Sequence, residues 1–246
     1  MSTLLLSTFL VSCATEQIAS KPVQGGVQTF TVALANTHVL DVSGVRLMID
    51  SGKAGNEGTL IDKMSEAGID PASIDYLILT HGHTDHAGGA AYFKRHFGTR
   101  IIASAAEASM LAEGKNDDLC PTNMVGGVLK PFIMRESYPP VTADVVVGDQ
   151  FDLASIGAHG IIVSIPSHTP GSIAVLIDNK AFVGDLVRGG LLQKTMPARH
   201  FYMCDLEKNN SDIRKILANE RIDTWYTGHM GPLSVDSVKE AFAQWQ

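Results

Sequence analysis

Tyr76-Leu77-Ile78-Leu79-Thr80-His81-Gly82-His83-Thr84-Asp85-His86-Ala87-Gly88-Gly89 is the stretch whose reading decides the fold. Its opening residues are apolar and bulky, and they read as a buried strand. The strand runs directly into four potential ligands within six residues, where a turn can aim them at one centre. Imidazoles and a carboxylate without thiolate suit zinc, with iron or manganese as further options, better than calcium. Crowding three imidazoles and a carboxylate together is costly without a cation among them, so the motif predicts a metal site. Gly82 is expected to let the backbone bend between the first two imidazoles.

Outward from this stretch, short β-rich runs alternate with helical patterns from residue 28 onward, with no repeat or low-complexity segment. Strands are expected over 29–35, 46–50, 76–80, 100–103, 161–166, 173–177, 181–184 and 224–227. Helices are expected over 58–67, 88–97, 105–113, 210–219 and 235–245. The strands fall into two blocks, each accompanied by helices. That pattern predicts an α/β protein with two sheets and helices outside them, in place of one doubly wound sheet. Residues 114–140 are rich in Gly, Pro and Asn and read as a long irregular segment of the kind that forms lids or substrate-facing walls.

The His81–His86 motif resembles the HxHxDH signature of the metallo-β-lactamase-fold hydrolases, and four further blocks follow that family's order. Upstream lies Leu47-Met48-Ile49-Asp50-Ser51-Gly52. Downstream lie Pro166-Ser167-His168-Thr169-Pro170-Gly171-Ser172, then Phe182-Val183-Gly184-Asp185, then Thr227-Gly228-His229-Met230-Gly231-Pro232. The resemblance runs from about Thr29 to Gln246 and implies a four-layer αββα sandwich of two mixed sheets with helices on the outer faces. It also implies two divalent metal ions, most simply Zn2+. His81, His83 and His168 would hold the first, and Asp85, His86 and His229 the second, with Asp185 bridging both. Asp50 would support the loop without binding metal. His38, His96, His159 and His200 have no motif around them and default to surface or core positions. His200 and Arg188 follow Asp185 closely enough to serve as substrate-binding candidates, Arg188 for a carboxylate or phosphate.

The resemblance implies a hydrolase that uses a bridging hydroxide on a small ester, thioester, lactone or amide bond, with Asp85 able to take the nucleophile's proton. An aspartate at the bridging position resembles the glyoxalase II and lactonase branches more than the β-lactamases. With 17 residues after His229, the chain is expected to lack the glutathione-binding helical region of glyoxalase II. Arg188 stands where acyl-homoserine lactonases are expected to carry tyrosine. Three alternatives stay open: a β-lactam hydrolase, an iron-dependent oxidoreductase of the persulfide dioxygenase type on the same fold, and a non-catalytic lipid-anchored binding protein.

Composition agrees with a folded domain. The chain has 246 residues, 45% of them hydrophobic, and a net charge of −7 with no run of Lys or Arg, which argues against nucleic acid. Leu4 to Val11 form an apolar run too short to span a membrane, ending in Leu10-Val11-Ser12-Cys13. This resembles a bacterial lipoprotein signal, although Met1-Ser2-Thr3 carries no basic residue. The expected organisation is an export signal over 1–12, a tether over 13–27 lipidated at Cys13, and the hydrolase domain over 28–246, placed in the periplasm. Membrane contact would then come only through the lipid. Cys120 and Cys204 either pair in that oxidising compartment or stay free.

Overall fold

The strand that feeds the metal motif is Tyr76–Ile78, and its neighbours follow the period-two logic of a sheet buried on both faces. In the computed structural model, which describes Val23 and residues 26–245, the first sheet holds six strands in the order β1 (Gln28–Val32), β2 (Ala35–Val42), β3 (Val45–Ile49), β4 (Tyr76–Ile78), β5 (Arg100–Ser104) and β6 (Val145–Val147). The first three pair antiparallel and the rest parallel. Met48, Leu77 and Ile101 face one side, against Leu60 and Met64 of α1 (Glu57–Glu66) and Phe93 of α3 (Ala90–Phe97). Ile49, Ile78 and Ile102 face the other side, toward the second sheet.

That second sheet contains β7 (Gln150–Asp152), β8 (Ile161–Ser164), β9 (Ile173–Ile177), β10 (Lys180–Gly184), β13 (Thr224–Thr227) and β14 (Leu233–Ser234), with β10 and β13 parallel and the other pairs antiparallel. A two-stranded ribbon, β11 (Arg188–Gly189) with β12 (Pro197–Ala198), stands apart. Val175 and Phe182 pack toward the first sheet. Ala174, Val183 and Trp225 pack outward with Ile213 and Ile216 of α6 (Leu206–Leu217) and Val238 and Phe242 of α7 (Val235–Ala243). Three apolar layers thus separate four layers of secondary structure, the αββα sandwich that the resemblance implied. The ligand-bearing loops leave the ends of β4 and β10, and the third histidine sits between β8 and β9.

The short strands β6, β7, β11, β12 and β14 go unread in the sequence, and two longer elements differ from the reading. The strand expected over 29–35 is a hairpin, because Ala33 and Leu34 turn the chain with φ of 50° and 73°. Residues that rarely take positive φ carry no turn signal of their own. The segment 114–140 contains a helix, α5 (Met124–Ile133), whose Gly126, Gly127 and Pro131 argued against one. Asn123 caps it by accepting a hydrogen bond from the Gly126 N–H at 3.0 Å. Cys120 and Cys204 form a disulfide, fastening this segment to the chain after the Asp185 loop. Residues 1–12, Cys13 and most of the expected tether lie outside the described residues. Val23 and Val27, from its end, pack against the body.

His38 is a core residue that ties the sheets together. Its Nδ1 faces the Thr29 hydroxyl at 2.9 Å and its Nε2 faces the Thr227 carbonyl at 3.2 Å. Burial lowers its pKa to about 4 from 6.5. Between those values the unfolded chain binds a proton that the native state refuses, so stability is full above pH 6.5 and falls as pH drops toward 4. Denaturant titrations are expected to show the wild type losing roughly 2.5 kcal/mol more than His38→Gln on moving from about pH 7.5 to about pH 4.5. Parallel losses in the two proteins would refute this role.

Candidate metal centre

Five histidines converge because each has one ring nitrogen fixed by a partner outside the cluster. His81 Nδ1 faces the Thr80 hydroxyl at 3.0 Å, and that hydroxyl donates to Asp50 Oδ2 at 2.8 Å. The same Asp50 oxygen takes His86 Nδ1 at 2.8 Å. Asp50 itself stands at φ 60° with Oδ1 accepting from the Thr80 N–H at 2.7 Å, so the β3 and β4 ends are locked to each other. His83 Nε2 meets Asp117 at 2.8 Å, His168 Nδ1 meets the Tyr202 carbonyl at 3.0 Å, and His229 Nδ1 meets the Leu34 carbonyl at 2.9 Å. The turn at Ala33 and Leu34 therefore has work at the site: it offers a carbonyl to His229.

The remaining nitrogens point inward. His83 Nδ1 and His168 Nε2 lie 3.0 Å apart. Asp185 Oδ2 sits among His86 Nε2 at 3.4 Å, His229 Nε2 at 3.4 Å, His168 Nε2 at 3.6 Å and His81 Nε2 at 3.9 Å. Asp85 Oδ2 is 3.3 Å from His229 Nε2. Four overlapping groups keep their ligand atoms within 4.8 Å of one another: His81, His83 and His168; His81, His86 and Asp185; Asp85, His86 and His229; His168, Asp185 and His200. All seven side chains that the motifs single out are brought together, and Asp50 lies behind them against Thr80 and His86. His96 and His159 are exposed.

The donor set fits divalent cations. His81 Nε2, His86 Nε2 and Asp185 Oδ1 are buried without a hydrogen-bond partner among the described residues. Such atoms are costly to bury unless something else satisfies them. Burial holds His81 and His168 well below the ordinary imidazole value, and neighbouring imidazoles add to that, which leaves their lone pairs free. Burial also works against charge on His86 and His229, but the Asp185 carboxylate, with Asp85, outweighs it; His86 rises well above its usual value and His229 to about 10. Without metal, protons on these two rings balance the carboxylates. A cation would replace those protons, so binding is expected to release them.

Close approach explains two glycines. A Cβ at Gly228 would collide with Asp185 Oδ1 and His86 Cε1. At Gly82 the constraint is contact and not the bend expected from sequence: a Cβ there would lie 2.7 Å from Glu107 Oε2. Glu107 is 1% exposed and accepts from the Gly82 N–H at 2.7 Å, the Gly171 N–H at 2.8 Å and the Thr169 hydroxyl at 2.8 Å. One carboxylate thereby joins the loops that carry His81, His83 and His168. Sequence reasoning misses Glu107, which lies within an expected helix, and Asp117, which lies in the segment read as irregular. That segment braces the motif further: Asn116 accepts from the Thr84 N–H at 2.8 Å, and the Tyr138 hydroxyl donates to the Gly82 carbonyl at 2.6 Å.

A cleft of about 190 Å³ opens beside the cluster. His83, Asp85, Asp185 and His229 form its floor, Leu34, Leu119, Leu129 and Ile133 its apolar walls, and Arg188 and His200 its remaining polar side. Arg188 is 9% exposed; its guanidinium lies 4.0 Å over the Phe201 ring and its Nη1 donates to the Gly189 carbonyl at 2.8 Å, while its Nε has no partner among the described residues.

The family model described as the metallo-beta-lactamase superfamily matches residues 31–229. The chain belongs to the metallo-β-lactamase superfamily. A protein described as a probable metallo-hydrolase from Methanocaldococcus jannaschii is 28% identical over 185 residues, covering 74% of this chain and 82% of that protein. A hydroxyacylglutathione hydrolase of Haemophilus influenzae is 30% identical over 157 residues, covering 61% of this chain and 65% of that enzyme. In fold, a metallo-β-lactamase of Cronobacter sakazakii with a HARLDQ motif superposes with a TM-score of 0.65 over 92% of this chain and 90% of that one, at 20% identity. This superfamily member is a metal-dependent hydrolase with a His/Asp cluster suited to divalent cations.

Proposed function

We propose that the protein is a dinuclear hydrolase, with zinc as its metal, that cleaves a small ester, thioester or lactone. The observation that carries this reading is the inward convergence of four imidazole nitrogens, from His81, His86, His168 and His229, on Asp185, with His83 Nδ1 turned in against His168 and each ring held from behind. His81, His83 and His168 would hold one ion, Asp85, His86 and His229 the other, and Asp185 both. Two such ions supply a water that is ionised near neutral pH and a positive centre for an oxyanion. Asp85 borders the cleft, where its carboxylate would help hold the second ion and would stand within reach of a proton given up by the nucleophile. The apolar walls receive the acyl group, and Arg188, desolvated and without a carboxylate partner among the described residues, faces an anionic group on the substrate. We place the protein outside the cytoplasm, a reading supported by the Cys120–Cys204 disulfide.

The test is a panel of a neutral aryl ester, an aryl ester bearing a free carboxylate, an acyl lactone, an acyl-glutathione and a carbapenem, with metal content measured by mass spectrometry. Two zinc ions per chain and turnover that chelation abolishes and zinc restores are expected. Activity undiminished after complete chelation would falsify the proposal, and two iron ions with no hydrolysis would move the chemistry to oxidation. Arg188→Gln is expected to lower kcat/KM for the carboxylate-bearing ester about 10-fold more than for the neutral one, the scale of one lost charged hydrogen bond. Equal losses on both esters would remove Arg188 from recognition.

A further inference from the structure

We infer that His200 is an eighth working side chain of the centre, an imidazole N–H that holds the Asp185 carboxylate from the cleft side. The inference rests on the dinuclear reading and deepens it. His200 is 5% exposed, its Nε2 lies 3.1 Å from Asp185 Oδ2, and its ring lies between those of His168 and His229, edge-on to the first at 4.8 Å and stacked on the second at 5.6 Å. No other imidazole nitrogen stands so near that oxygen.

The other five rings turn their outer nitrogen to a carbonyl, a carboxylate or a hydroxyl. His200 differs. Its Nδ1 is 3.3 Å from the Tyr202 backbone nitrogen, positioned to accept that N–H, and 3.2 Å from the Tyr202 carbonyl. The carbonyl already receives His168 Nδ1, whereas the Tyr202 N–H has no other acceptor among the described residues. An amide N–H only donates, so the nitrogen facing it accepts, and on that ground the ring's proton is assigned to Nε2, which has Asp185 Oδ2 as acceptor at 3.1 Å. A protonated nitrogen is no metal ligand; it is a hydrogen-bond donor, and Asp185 Oδ2 is what it meets. His200 is therefore a positioning residue. It orients the carboxylate proposed to span both ions and draws charge from it, while its face forms part of the cleft wall.

His200→Leu removes the donor at similar volume and His200→Gln keeps an N–H on a side chain of similar reach. Zinc affinity is measured by competition with a chromophoric chelator, and the number of imidazoles per zinc by X-ray absorption. The expected result is a 10- to 100-fold weaker zinc affinity in His200→Leu, the usual effect of losing a partner behind a ligand. Affinity should recover to within about 3-fold of the wild type in His200→Gln, with the imidazole count unchanged in both. Wild-type affinity in His200→Leu overturns the inference, and so does a fall in imidazole count, which would make His200 a ligand. Neither readout depends on turnover. A protein that binds zinc but hydrolyses nothing in the panel would defeat the proposed function and leave this inference to be judged on its own.

Discussion

Asp185→Asn in the metal-loaded protein is expected to lower kcat/KM by at least about 10³-fold, roughly 4 kcal/mol of transition-state stabilisation. The substitution is nearly isosteric, so the fold has no reason to change. It removes the negative charge from the point where His86, His229, His168 and His81 converge, and it turns an amide N–H toward at least one of them. Both proposed ions lose their shared ligand together. The same cluster without metal should lose the force that holds His229 up at about 10, since Asp185 is the largest attraction acting on it. Steady-state kinetics with metal content determined on the same preparation checks the first point. A variant within ten-fold of wild type, at equal metal content, would mean that the bridging assignment is mistaken.

The second large effect concerns a residue that touches neither metal nor substrate. Glu107→Leu is expected to cost roughly 3–5 kcal/mol of stability, because the Gly82 and Gly171 N–H groups would be left buried and unpaired, each at about 1–3 kcal/mol. It should also cut kcat/KM by about 10²-fold, since the loops bearing His81, His83 and His168 lose their common anchor and small misplacements of catalytic groups have large kinetic effects. Burial raises the Glu107 pKa against the pull of Thr169 and the two glycine amides, so the site keeps this carboxylate at some energetic cost. Chemical denaturation gives the stability change. Zinc binding measured under conditions where the variant is still folded separates a positioning defect from simple unfolding. Unchanged stability would show that the two amides find other acceptors.

Much of the centre was legible because its chemistry is written in local patterns. A strand followed at once by His81, His83, Asp85 and His86 needs no knowledge of the rest of the chain to be read as a metal loop. The ordered blocks at His168, Asp185 and His229 supplied the remaining candidate ligands through resemblance, and the structure brings them together with the His81–His86 motif, with Asp50 behind His86. Elements with strong periodicity were found as well: β3, β4, β5, β9 and β10 alternate between two apolar layers, and α6 carries its buried Ile213 and Ile216 on one face.

The misses have physical causes. The Ala33-Leu34 turn takes positive φ without Gly or Asn, so the hairpin of β1 and β2 looked like one strand. In α5, Gly126, Gly127 and Pro131 argued against the helix that the structure shows capped by Asn123. His200 was legible only as a residue near enough to reach the site; what it bonds to was not.

The sequence by itself pointed to the candidate ligands of the His81–His86 motif and to two sheets with helices outside them, because these follow from side-chain chemistry and from periods of two and 3.6 residues along one segment, and resemblance added the later blocks in their order. Only the tertiary structure decided which partner stands behind each ring: Asp117 for His83, the Tyr202 carbonyl for His168, the Leu34 carbonyl for His229, and Glu107 beneath two loops. It also decided the pairing of Cys120 with Cys204, 84 positions apart. Those contacts join residues far apart in the chain, and backbone carbonyls are common to every residue, so no local pattern can announce them. They exist because buried polar groups must find partners, and the partner available is settled only once the layers have packed.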